Sequence, residues 1–63
     1  MKVGELCWVF EGSVKSFLHP VVFLGTRTYD RGDKIDSYRV ALQDGGRLHL
    51  SLYFYTLVPV SLN

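Results

Sequence analysis

Cysteine is nearly missing from this sequence. The single Cys7 excludes an intramolecular disulfide, although a small secreted scaffold normally relies on several. The compartment this predicts is a reducing cytoplasm. Charge of one sign is equally scarce: seven Lys plus Arg stand against six Asp plus Glu, a formal charge of +1. That is far from the basic excess that drives non-specific attachment to nucleic acid, so such a role would need a local patch. No apolar run approaches the roughly 20 residues that span a bilayer, and no membrane partner is expected. Met1-Lys2 leads into Gly4 and Glu5 without the apolar segment and cleavage site of a signal peptide, and none is expected. Cys7, His19 and His49 are the only thiol and imidazole groups, and none forms a close C-x₂₋₄-C type pair, so neither metal nor cofactor is expected.

Apolar residues are plentiful. The 63 residues are 48% hydrophobic and 14% aromatic, which argues against a disordered chain. A domain this small buries only about 60% of the surface its unfolded chain exposes, so its stability margin is thin. Val, Leu, Tyr and Phe occur in short runs broken by glycine and charge, which reads as strands with little helix. The runs are Glu5 to Phe10, Pro20 to Leu24 continuing past Gly25 towards Tyr29, Tyr38 to Gln43, Arg47 to Leu52, and Leu57 to Val60. Gly25 fits a bulge. Residues Asp30 to Asp36 read as a charged loop, and Tyr53 to Thr56 as a short 3₁₀ turn.

Tyr38, Val40 and Leu42 alternate with Arg39, Ala41 and Gln43, and Leu48, Leu50 and Leu52 alternate with Arg47, His49 and Ser51. Both strands are thus half-buried, and parity constrains their pairing. A three-residue loop of Asp44, Gly45 and Gly46 pairs Leu42 with Leu48 and Val40 with Leu50, with Gly46 in the left-handed position. Leu50 is then expected inside and His49 outside.

Five short strands, a tight hairpin between the third and fourth, and a single turn before the last resemble an SH3-like or Tudor-like barrel. Gly4 to Val9 is similar to the opening strand of Tudor and PWWP modules, His19-Pro20 falls where PWWP modules carry Trp-Pro, and Leu57 to Val60 looks like their closing strand. The resemblance implies a five-stranded antiparallel SH3-like barrel over residues 1–63, with a short 3₁₀ turn before the last strand. It does not carry over methyl-lysine or Pro-rich peptide binding, because the tryptophan of that pair and the ALYDY-type sequence of SH3 domains are absent.

Trp8, Phe10, Tyr29, Tyr53, Phe54 and Tyr55 are the candidate aromatic surface. The competing reading is that they form the core; if Cys7 and Val9 face inwards, Leu6, Trp8 and Phe10 face out. Arg39, Arg47 and His49 share the outer face of the central hairpin, suited to phosphate or an acidic protein surface. Arg31-Gly32-Asp33 matches an adhesion triplet but reads as a loop with glycine for the turn. Cys7 lies inside an apolar strand, where a thiol is inert, and the carboxylates are dispersed, so no catalytic residues and no enzyme activity are expected. The leading expectation is a small non-enzymatic protein-binding module, an accessory or phage-like regulator of a larger protein. A nucleic-acid-binding barrel and a homo-oligomer are the alternatives.

Overall fold

A computed structural model describes residues 1–28 and 35–61. The chain is all-β: β1 (Leu6–Glu11), β2 (Val14–Lys15), β3 (Val21–Thr28), β4 (Ile35–Ala41), β5 (Arg47–Ser51) and β6 (Thr56–Pro59). The antiparallel sheet runs β2-β1-β3-β4-β5, with β6 also paired to β1. Cys7 pairs with both Val21 and Pro59, and Phe10 with both Lys15 and Thr56. A strand has two edges, so β6 occupies one edge of β1 while β2 and β3 share the other. The result is a strongly curled half-barrel. Among the described residues β5 pairs only with β4 and β6 only with β1.

The concave side holds the core: Cys7, Val9, Val21, Phe23, Val40 and Leu50, with Phe17, Tyr38, Leu42, Tyr55 and Leu57 packed against it. These residues follow the strand alternation, since Cys7 and Val9 point inward while Leu6, Trp8 and Phe10 take the other face. Phe23 is the large central ring; it meets Tyr38 edge-on at 6.4 Å between centroids. Pro59 closes β6, a strand end where a missing N–H is tolerated.

Several boundaries differ from the sequence reading. A two-residue β2 adds a sixth strand, Ile35 and Asp36 belong to β4 instead of the charged loop, and β5 stops at Ser51, before Leu52. The hairpin pairs Val40 with Leu48 and Tyr38 with Leu50, two residues away from the register expected from an Asp44-Gly45-Gly46 loop. The loop is Gln43-Asp44-Gly45, closed by Leu42 N–H to the Gly46 carbonyl (2.6 Å) and Gly45 N–H to the Leu42 carbonyl (3.0 Å). Asp44 Oδ1 accepts the Gly46 N–H at 2.8 Å, which holds the aspartate inside the turn and makes Gly45, at φ 92°, the left-handed residue. A shift of two preserves parity, so Leu50 is buried and His49 exposed as expected. The turn before β6 spans residues 52–54, where the Ser51 carbonyl accepts the N–H groups of Phe54 (3.3 Å) and Tyr55 (3.0 Å).

Cys7 is fully enclosed, its thiol directed at the Val21 carbonyl 3.7 Å away. Burial, with a smaller contribution from the Glu5 carboxylate, raises its pKa above the ordinary 9.0. Below that value the thiol is neutral in both folded and unfolded chains. Above it the unfolded chain gives up the proton first, so the native state binds more protons and stability falls as pH rises. Urea midpoints compared between neutral pH and pH above 9.0 should therefore fall more steeply for the parent than for Cys7→Ala. Parallel slopes would remove this account of the thiol.

Candidate functional site

The bulge at Gly25 organises the convex face. Phe23 pairs with Val40 but Gly25 pairs with Arg39, so Leu24 is the extra residue and every later side chain of β3 changes face. Thr26 turns towards the concave side with its partner Tyr38, and Arg27 turns outward beside Ser37. Gly25 has φ 129°, a conformation that L side chains rarely adopt, which is why glycine stands there.

Arg39 and His49 are cross-strand partners, and Arg47 follows His49 on the same face at the next outward position. The side chains of Arg39 and His49 lie close, because their pair is of the kind that exchanges no backbone bonds. Arg27 reaches across from β3, placing Nη1 3.2 Å from His49 Nδ1. A guanidinium can only donate, so Nδ1 accepts and the ring proton of the neutral imidazole sits on Nε2. Ser37 and Ser51 complete the next row. The outward positions of β3, β4 and β5 among the described residues thus supply three arginines and a histidine, and the one carboxylate within these strands, Asp36, accepts the Ser37 hydroxyl through Oδ1 at 3.1 Å at the end of the face.

Tyr53 and Phe54 project from the turn that follows, 84% and 66% exposed, and the Tyr53 N–H is fixed to Ser51 Oγ at 3.2 Å. Tyr55 instead packs against the core. Trp8 and Phe10 are half-buried on β1. The cross-strand row Leu6, Val22, Ala41, Arg47 connects their face to Arg47 across three strand spacings, about 14 Å, while Arg27 and Arg39 lie on the nearer strands β3 and β4 but are displaced along them from Val22 and Ala41. Lys15 Nζ stands 4.2 Å from the Trp8 ring centroid, so the chain's own ammonium already occupies the ring face that a methylated cation would use. The aromatic and basic residues therefore do not form one patch: Trp8, Phe10 and Lys15 lie together on one side, the arginines lie on β3, β4 and β5, and Tyr53 and Phe54 are exposed in the turn that follows β5. Tyr29 and the Arg31-Gly32-Asp33 triplet lie outside the described residues.

Comparison with protein families, curated proteins and solved structures finds no match. Function therefore rests on the site alone.

Arg27 is the residue the sequence reading failed to place. The signal was present: a bulge at Gly25 reverses the parity of residues beyond it, and counting through it puts Arg27 outside. A separate cleft of about 470 Å³ between the β2–β3 connection and the β4–β5 turn is lined by Ser16, His19 and Asp44, with Gln43 and apolar neighbours. These three are not linked: Ser16 Oγ is buried without a partner, and Asp44 Oδ1 is engaged by Gly46. Among the described residues no three His, Cys, Asp or Glu side chains gather to hold a metal ion, and no helix is long and apolar enough to cross a membrane.

Proposed function

We propose that this chain is a non-enzymatic binding module, built on an SH3-like scaffold, that takes an acidic surface of a larger protein on the convex face of β3, β4 and β5. The observation that carries the reading is the cluster of Arg27, Arg39, Arg47 and His49 on one face, three arginines against the one carboxylate, Asp36, within β3, β4 and β5. Charge that is not neutralised within its own face attracts and orients an opposite charge. Exposed Tyr53 and Phe54, in the turn directly after β5, add the residue types, with arginine, that protein interfaces favour. The scaffold reading rests on the central hairpin, the single turn after it, and a last strand returning to pair with the first.

The test compares capture from host extract by the parent and by the double variant Arg39→Ala, Arg47→Ala. The expected result is a protein retained by the parent after nuclease treatment and lost with the variant, while both give the same urea midpoint. Equal retention by the two would show that this face is not the contact surface. The third arginine beside exposed rings also favours a second reading, a single-stranded nucleic acid whose bases stack on Tyr53 and Phe54. Binding to an oligonucleotide would then weaken with salt, and the slope of log affinity against log salt would shrink by roughly 0.7 per phosphate contact removed.

A further inference from the structure

The outer edge of β5 carries backbone groups with no partner among the described residues, and their direction can be derived. The Gly46 carbonyl accepts from Leu42, and the Leu52 N–H donates to the Asp36 carbonyl at 3.3 Å. Even-numbered residues here therefore turn their backbone polar groups towards β4, and by alternation Arg47, His49 and Ser51 turn theirs away. The Ser51 carbonyl is taken by the following turn. What remains is a row of outward donors and acceptors at Arg47 and His49, plus the Ser51 N–H.

The side chains along this edge are sorted by face. Arg47 and His49 stand on the convex side, while Leu48 stands on the concave side, 38% exposed although its cross-strand partner Val40 is fully buried. The edge is thus basic on one side and apolar on the other, with the period of two that an extended chain matches.

We infer that β5 accepts an added antiparallel strand from an acidic partner segment in which acidic and apolar residues alternate. This rests on the acidic-partner reading above and specifies how the partner is held. Backbone pairing to Arg47 and His49 supplies the register; the segment's carboxylates meet Arg47, His49 and, one strand further in, Arg39; its apolar residues cover Leu48. A second copy of this chain is a poor occupant of the same edge. Antiparallel pairing about His49 would set the two His49 rings opposite each other and gather both copies' arginines on one face, and like charges across strands are destabilising. The same charges blunt uncontrolled edge pairing, so the edge discriminates by charge.

The probe is a synthetic peptide of alternating glutamate and valine, compared with one of the same composition in which the two residues are in separate blocks. Amide exchange is followed residue by residue by NMR. In the protein alone, the amides of Leu48 and Leu50 should already be protected and those of Arg47 and His49 open. The alternating peptide should protect Arg47 and His49, and the block peptide should not. His49→Pro removes an outward N–H without touching the β4 ladder, so it should bind about ten-fold more weakly than His49→Ala, the upper range for one lost hydrogen bond. Shifts at the Arg27 and Arg39 guanidinium groups with no new protection at Arg47 or His49 would overturn strand addition and leave the acidic-partner reading standing. No response to either peptide at millimolar concentration would overturn both.

Discussion

Phe23→Ala is expected to leave the chain largely unfolded at 25 °C. The ring is buried near the start of β3, pairs across to Val40 and meets Tyr38 edge-on. The backbone of Phe23 is also committed, its N–H to the Glu5 carbonyl at 2.9 Å and its carbonyl to the Gly4 N–H at 2.7 Å. Removing a buried aromatic ring costs about 3–5 kcal/mol through lost transfer energy and the cavity left behind. A chain of this length has a total stability of roughly 3–9 kcal/mol, so one substitution removes from about a third to all of it. Phe23→Leu keeps much of the volume and should remain folded with a lowered urea midpoint. Circular dichroism during urea titration separates the three proteins. An Ala variant within about 1 kcal/mol of the parent would mean that the core is not centred on this ring.

Gly25→Ala is expected to couple stability to the site. A Cβ built at Gly25 meets nothing within 4 Å, so the cost of the substitution is conformational and arises from φ 129°. Holding an alanine there costs of order 1–3 kcal/mol. The chain can relieve that cost by giving up the bulge, which would turn Arg27 towards the concave face and strip His49 of its partner. The expected result is a lower urea midpoint together with a changed nitrogen chemical shift at His49 Nδ1 and weaker binding to acidic probes. Arg27→Ala provides the reference, because it should reproduce the loss at His49 with little loss of stability. If Gly25→Ala changes neither the midpoint nor the His49 signal, the bulge does not place Arg27.

How much was legible before folding can be judged strand by strand. Alternation along Tyr38 to Leu42 and Leu48 to Leu52 assigns Leu50 to the inside and His49 to the outside, because the side-chain period of a strand is set by the backbone itself. The exact partner of each residue was not legible, since Asp44, Gly45 and Gly46 allow two loops of equal length and the same parity. The choice falls to the bond between Asp44 Oδ1 and the Gly46 N–H. On β1 both parities are apolar, so the pattern alone could not choose between Cys7 and Val9 or Trp8 and Phe10 as the core set. Curvature decides it: the concave side of a tightly curled sheet has room for the smaller pair, and the larger rings are left on the convex side.

The sequence by itself determined that this is a β chain, which residues of the central hairpin face in, that Gly25 marks a bulge or a bend, and that Arg39, Arg47 and His49 share a face. These are local properties, dictated by alternation and by the backbone freedom of glycine. Tertiary structure alone decided that Arg27 meets His49, that Lys15 caps Trp8, that Tyr55 packs inward while Tyr53 and Phe54 do not, and that the outer edge of β5 has no partner among the described residues. Each of those depends on which strands become neighbours and how far the sheet curls. That is settled by the collective packing of the concave face, and no local pattern in the chain encodes it.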